Sequence, residues 1–360
     1  MKRTQTRQVH VGQAAIGGGA PITIQSMTNT DTRDAVATIA QIRALVDAGC
    51  QIVRCTVPDM EAARALKAIR AACPIPLVAD VHFDHRLAMA ALENGADKVR
   101  INPGNIGGAD KVRELVACAK DHGAPIRIGV NGGSLEKALY RKYGGPTPEA
   151  LVQSALSHVA LLEQAGFYEI VISLKASDVE TTVAAYERMA QACPYPLHLG
   201  ITEAGGGSAG LVKSAAGLGI LLHQGLGDTL RISLTGEPVQ EVEAARQLLR
   251  AMGLRKEGVE IVSCPTCGRT GFDLLPVVRR VEAALPKEGP YLKVAVMGCA
   301  VNGPGEARDA DLGVAGSRNG KLVIFKFGKV VGAFDPDAGF EYFKLEILKN
   351  STRTGEDRNV

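Results

Sequence analysis

The stretch 229–253, TLRISLTGEPVQEVEAARQLLRAMG, holds one complete strand-and-helix unit. TLRISL (229–234) is a short apolar run of strand type, and the helix that follows declares both of its ends. Pro238 suits a first turn, where its missing N–H and fixed φ cost nothing. Val239, Val242, Ala245, Leu248, Leu249 and Met252 fall on one helical face, and Gly253 supplies the stop. Upstream the same unit recurs. ITIQSM (22–27), QIVRCT (51–56), PLVADVH (76–82), KVRIN (98–102), IRIGVN (126–131), EIVISLK (169–175) and LHLGITE (197–203) read as strands, each followed by a helix. Thr147-Pro148-Glu149 opens one of these helices in the same manner. Alternation of this kind means βαβ units on a parallel sheet. Eight pairs in about 230 residues fit a TIM (β/α)8 barrel, whereas a doubly wound sheet more often has five or six strands.

Beyond Lys256-Glu257-Gly258 the rhythm changes. A strand (Val259 to Ser263), a helix (Asp273 to Ala284), a strand (Leu292 to Met297), a Gly-rich loop, a hairpin around LVIFKFGKVVGAF and a closing helix (Asp337 to Leu348) describe a small α+β domain. The expected division of this α/β protein is therefore a barrel over 1–254, a second domain over 255–350 and a fraying polar tail, STRTGEDRNV, over 351–360.

Composition narrows the function. The chain has 360 residues, 46% hydrophobic and 22% charged, as a folded water-soluble protein does. Its 41 Lys and Arg against 38 Asp and Glu leave +3, too balanced for a nucleic-acid coat or a polybasic membrane anchor. No basic tract interleaved with aromatics appears, which argues against a nucleic-acid partner. The N-terminus MKRTQTRQVHVG is basic without the apolar stretch of a signal peptide, and no run long enough to span a membrane occurs. A cytoplasmic location is expected, where the 8 cysteines stay as thiols or bind metal.

In a TIM barrel the C-terminal strand ends converge on the active face. Here they carry Arg54, Arg100 and Asn102, Arg127 and Asn131, Ser173 and Lys175, then Arg231 and Ser233. One strand-end Arg is an ordinary ion-pair partner; five cations around one mouth, answered mainly by Asp80 and Glu203, call for a polyanion such as a diphosphate. The glycine runs at Gly17 to Gly19 and Gly205 to Gly207 lack nucleotide-binding spacing. Asp80-Val-His82-Phe-Asp84-His85 offers metal ligands at alternate positions, or else His82 hydrogen-bonds a substrate while Asp84 caps the next helix. Glu203, ending the seventh strand, is placed as an acid or base or as a counter-ion among cations.

The sharpest signal is Cys264-Pro265-Thr266-Cys267 at one strand end with Cys299 after another, inside MGCAVNGPGE (297–306). Three clustered thiols without a fourth fit a closed zinc site poorly, whereas a [4Fe-4S] cluster tolerates an oxygen ligand, for which Glu306 is the nearby carboxylate. Cys50, Cys73, Cys118 and Cys193 read as packing residues; Cys55 lies beside Arg54.

Together with QSMTNTDT, VRCTVP, RINPGN, RIGVN, SLKASD, LGITEAGG and DTLRISL, the motifs CPTCGR and MGCAVNGPGE give the sequence a strong resemblance, over about residues 10 to 315, to the 4-hydroxy-3-methylbut-2-enyl diphosphate synthases of the methylerythritol phosphate route to isoprenoids. His85 departs locally from that family's aromatic Tyr. The resemblance implies a TIM barrel followed by an iron–sulfur domain, with Cys264, Cys267, Cys299 and Glu306 ligating a [4Fe-4S] cluster. It implies that Arg54, Arg100, Asn102, Arg127, Asn131, Lys175, Arg231 and Ser233 hold the substrate diphosphate, with Glu203 as the barrel's acid or base. It further implies two-electron reductive opening of 2-C-methyl-D-erythritol 2,4-cyclodiphosphate with loss of water, a flavodoxin or ferredoxin donor, and head-to-tail homodimers whose sites are shared between subunits. Two rival readings are a phosphate-binding barrel lyase or aldolase with a Schiff-base Lys175 and structural zinc, and an iron–sulfur sensor whose barrel only binds an effector.

Overall fold

The structure is a computed structural model that describes residues 3–82, 84–101, 108–265, 267, 270, 273–285, 289–299, 309–317 and 319–351. Asn102 and Glu306 lie outside the described residues. The chain divides into two compact units, Met1–Met252 and Gly253–Val360.

The first unit opens with a hairpin that the sequence did not announce, β1 (Val9–Val11) and β2 (Ala14–Ile16). Strands of three residues are too short to display a period. Val11 and Ile16 pack against Ile52 and Val78 of the barrel wall. The wall itself is eight parallel strands, β3 (Thr23–Met27), β4 (Ile52–Thr56), β5 (Leu77–Val81), β6 (Lys98–Ile101), β7 (Ile126–Asn131), β8 (Ile170–Lys175), β9 (His198–Leu199) and β10 (Thr229–Leu230). They run in the order β8-β7-β6-β5-β4-β3-β10-β9, and a bridge between Ile172 and Leu197 brings the two ends together.

Helices follow the strands: α1 (Ala35–Asp47), α2 (Met60–Ala72), α3 (His85–Glu93), α4 (Ala109–Asp121), α5 (Lys137–Tyr143) and α6 (Pro148–Gln164), α7 (Val179–Ala192), α8 (Gly207–His223) and α9 (Pro238–Ala251). Asp34, Asp59, Asp84, Thr147 and Asp178 cap five of them, each side-chain oxygen accepting a first-turn N–H that has no partner inside the helix. Strands seven and eight are shorter than expected. β9 and β10 stop after two residues, so Glu203, Arg231 and Ser233 stand on the loops beyond the strands rather than on them. The ladder gives out where the Lys175 side chain crosses Gly200, whose position leaves no room for a Cβ: one would sit 2.9 Å from Lys175 Nζ.

The second unit is a five-stranded sheet in sequence order. β11 (Val259–Ser263), β12 (Leu292–Met297) and β13 (Leu312–Gly316) are parallel, and β14 (Leu322–Lys326) and β15 (Lys329–Phe334) return antiparallel. α10 (Leu274–Ala284) and α11 (Pro336–Ser351) contribute Leu274, Val281, Phe340, Phe343 and Ile347 to its core. β13 was hidden because its glycines depress strand propensity. Gly313 is nonetheless required, since a Cβ there would lie 2.3 Å from the ring of its cross-strand partner Phe325. Ser351, assigned by sequence to the tail, is buried and ends α11 with its hydroxyl donating to Leu348 O at 2.9 Å. Residues 352–360 lie outside the described residues. Among the described residues no helix is long and apolar enough to cross a membrane.

Candidate active site

The interior of the barrel is charged where most TIM barrels are packed with branched apolar side chains. Arg54 on β4, Lys98 and Arg100 on β6, Arg127 on β7 and Lys175 on β8 are all buried. Asp80, on β5 between β4 and β6, binds two of them: Arg100 Nη1 donates to Oδ1 at 3.0 Å and Arg54 Nε approaches Oδ2 at 3.6 Å. His82 Nε2 stands 3.5 Å from the same Oδ2 and 3.2 Å from Arg100 Nη1. Burial alone would raise the Asp80 carboxyl, but the charge of Arg54, the bond to His82 and the charge of Arg100 outweigh it and hold it well below the ordinary carboxylate range. With its amide oxygen turned toward the guanidinium, Asn131 accepts from Arg100 Nη2 at 3.2 Å.

This arrangement exists because position 129 is glycine. A Cβ on Gly129 would lie 2.3 Å from Arg100 Nε, in the space the guanidinium occupies. Gly129→Ala is expected to displace Arg100 from Asp80, lower the melting temperature by roughly 5 °C, and weaken inorganic pyrophosphate binding about tenfold. Unchanged pyrophosphate binding, measured calorimetrically, would remove Arg100 from the anion site.

The second counter-charge is one that reading strand ends could not supply. Arg231 is gripped by Glu241, in the first turn of α9, through Nε to Oε2 and Nη2 to Oε1, both at 3.1 Å. Glu241 also accepts from Ser26 Oγ at 3.2 Å and Leu234 N at 3.0 Å, so the carboxylate is saturated and fixes the guanidinium plane. Glu203, expected to answer the cations, is exposed and held at φ +52°, a left-handed conformation unusual for a side chain with a Cβ.

Lys175 and Arg127 lie deeper than a rim position. Burial and the charges of Arg54, Arg127, Arg231 and Arg100 bring the Lys175 amine well below its ordinary value. Burial likewise depresses Arg127, which Arg54 and Arg100 reinforce. Two buried groups escaped the sequence reading altogether. Lys98 begins the strand KVRIN, and its two-residue offset from Arg100 already placed it on the interior face. His198, fully buried on β9, shows no such sequence signal, since a single His in a strand is most often a packing residue.

The alternative metal reading of Asp80 to His85 does not hold. Asp80 is committed to arginines, Asp84 caps α3 by accepting from Arg86 N at 2.9 Å, and His85 turns to Glu114 at 3.0 Å. Among the described residues no three His, Cys, Asp or Glu converge to hold one metal ion. The barrel cysteines Cys50, Cys55, Cys73, Cys118 and Cys193 are free thiols. Burial pushes all five up, Cys50 and Cys55 to about 12.

In the second unit the parallel register that pairs Ser263 with Val296 brings the ends of β11 and β12 side by side; Cys264 directly follows the first strand and Cys299 lies just past the second. Gly298 N–H donates to Cys264 Sγ at 3.0 Å, the kind of amide-to-sulfur bond that stabilises thiolate ligands. Gly298 has no Cβ to spare: one would sit 3.4 Å from Cys264 Sγ and 3.0 Å from Thr270 Cγ2. Thr270 closes the turn, its Oγ1 accepting from Cys267 N at 3.2 Å. Cys267 is exposed, and Cys264 and Cys299 are half-buried. Among the described residues Cys264, Cys267 and Cys299 are not gathered into a ready metal site; the amide donor to Cys264 Sγ is what suits that thiol to an iron–sulfur group.

Comparison with known proteins adds an independent line. Residues 6–246 match the family model described as the GcpE TIM-barrel domain, and 260–349 match the GcpE protein C-terminal domain. The chain is 59% identical to "4-hydroxy-3-methylbut-2-en-1-yl diphosphate synthase (flavodoxin)" of Maridesulfovibrio salexigens, over 92% of each chain. To the protein of that name from Caldanaerobacter subterraneus it is 57% identical, over 96% of this chain and 98% of the relative. Among solved structures, 3-dehydroquinate dehydratase from Geobacillus kaustophilus aligns at a TM-score of 0.50 with 13% identity, over 69% of this chain and 99% of that one, a likeness of fold alone.

Proposed function

This chain belongs to the GcpE family, and from that premise we propose that it is an oxidoreductase of isoprenoid biosynthesis converting 2-C-methyl-D-erythritol 2,4-cyclodiphosphate to 4-hydroxy-3-methylbut-2-enyl diphosphate. Two electrons enter and one oxygen leaves as water. The observation that carries the reading is the buried cationic interior of the barrel, in one chain with a second unit that carries the free thiols Cys264, Cys267 and Cys299.

Arg54, Arg100, Asn102, Arg127, Asn131, Lys175, Arg231 and Ser233 are the residues assigned to the diphosphate. Asp80 and Glu241 hold Arg54, Arg100 and Arg231 in place before the substrate arrives, so little ordering remains to be done on binding. The same cations stabilise the charge that develops on the diphosphate oxygen as its ring bond to carbon breaks. Glu203, at the start of the Gly-rich loop that leads into α8, is assigned the proton transfer. Cys264, Cys267, Cys299 and Glu306 are assigned to a [4Fe-4S] cluster, which when bound supplies the electrons and a Lewis-acidic iron. A flavodoxin-type donor and a homodimer complete the proposal; light scattering of the anaerobic protein tests the latter.

The direct test is anaerobic turnover of the cyclic diphosphate with reduced flavodoxin, following formation of the allylic diphosphate. Recovery of unchanged substrate by a protein carrying its full iron and sulfide would overturn the reading. Glu203→Gln is expected to lower kcat by about 10²–10³ at unchanged iron content; full turnover takes the residue out of the chemistry. Lys175 gives a further handle. Its amine is depressed in the free protein and raised again beside a diphosphate, so pyrophosphate binding is expected to be linked to proton uptake. Calorimetry in two buffers of different ionisation enthalpy measures that uptake, which Lys175→Met should reduce.

A further inference from the structure

The cations bound by Asp80 and Glu241 account for only the upper part of the charged interior. Toward the N-terminal strand ends the two-residue pleat turns Thr23 and Gln25 of β3, Lys98 of β6, His198 of β9 and Thr229 of β10 inward, with Arg127 of β7 level with Arg100. Thr229 is in register with both Thr23 and His198, and on the opposite wall Arg127 is paired with Arg100, one pleat above Lys98. All six side chains are buried, Lys98 and His198 at 0% and Arg127 at 1% exposure. Among the described residues the protein supplies no hydrogen-bond partner for Lys98 Nζ, Arg127 Nε and Nη1, Gln25 Nε2 and Oε1, the Thr23 and Thr229 hydroxyls, or either ring nitrogen of His198.

So many orphaned donors in one interior are unusual, because each costs about as much as a lost hydrogen bond and an unpaired charge costs more. Water can accept from some of them but neutralises none of the charge. Arg54, Lys98, Arg100, Arg127, Lys175 and Arg231 face the two carboxylates Asp80 and Glu241. We propose that the floor of the barrel is a binding site for a small monovalent anion of the halide class, held by Lys98 and Arg127 with Gln25, His198 and the two threonine hydroxyls completing its shell. One ion there satisfies several donors at once and lowers the repulsion among the cations above it. The charge of Arg127 adds to burial in depressing both Lys98 and His198. The site shares Arg127 with the residues assigned to the diphosphate and differs from them in Lys98 and His198 and in being occupied before substrate arrives.

Two measurements on the full chain, neither of them an activity, decide the matter. In crystals grown with bromide in place of chloride, an anomalous peak is expected within about 3.5 Å of Lys98 Nζ and Arg127 Nη1, the range of a hydrogen bond to a large anion. In solution, chloride in place of gluconate at equal ionic strength is expected to raise the melting temperature by about 5–10 °C at a hundredfold excess over Kd. Lys98→Met, which keeps the length of the side chain and removes its charge, should abolish both signals. A floor holding only water in the bromide crystals overturns the proposal, and so does a chloride effect of equal size in Lys98→Met. Where that variant does not fold, the bromide map of the unaltered chain alone decides.

Discussion

Cys264→Ser is expected to leave protein that carries less than about one iron and one sulfide per chain, against about four of each in the unaltered chain, and to lower turnover at least about 10³-fold. Serine is a hard oxygen ligand where the site offers soft sulfur, and it replaces the sulfur to which the Gly298 N–H is directed. Because Cys264 is half-buried and β11 is paired along its length with β12, the sheet should survive; circular dichroism and melting temperature therefore separate loss of cluster from loss of fold. Iron and sulfide analysis with electron paramagnetic resonance of the reduced protein is the measurement. Stoichiometric zinc without sulfide in protein never exposed to air would favour the lyase reading instead.

Asp80→Asn carries the second large effect. The substitution is isosteric, so any loss is electrostatic: Arg54 and Arg100 stay buried and lose the charge that offsets their burial. Breaking a buried ion pair from one side typically costs about 3–5 kcal/mol, which in a barrel of this size lowers the melting temperature by roughly 6–20 °C. The pH dependence has a definite sign. The Asp80 carboxyl is held below its unfolded value, so its contribution is complete above about pH 4 and disappears as the pH falls below that. The difference in unfolding free energy between the two proteins should thus be constant from neutrality to about pH 4 and shrink in stronger acid. A constant difference at pH 7 and pH 3 would mean that packing around residue 80, not its charge, was lost.

Several of these residues could be read from the chain and others could not, for reasons that are physical. Arg54, Arg100 and Lys175 were legible because strand periodicity fixes which end and which face a residue occupies. The helix that begins at Pro238 was equally plain, yet Glu241 within it was passed over. Its partner Arg231 is ten positions away on a different element, and only the packing of α9 against β3 and the loop after β10 joins them. Lys98 was in plain view as part of the alternation Lys98, Arg100; attention to strand ends alone hid it. The hairpin β1–β2 and strand β13 lacked length or propensity, and Gly313 makes sense only once Phe325 lies across it. The thiols needed no structure to stand out, because C-x-x-C spacing is chemistry written locally.

The burial of four of the five barrel thiols has a bearing on how the protein ages in air. Oxidants attack thiolates, and partial or full burial holds Cys50, Cys55, Cys73, Cys118 and Cys193 toward the protonated form. Oxygen damage should then fall first on the exposed and half-buried cysteines of the second unit. A chain that has lost its inorganic centre keeps an undamaged barrel. Such a chain is a candidate for repair rather than for degradation: thiol reduction followed by iron and sulfide should return it to service without resynthesis.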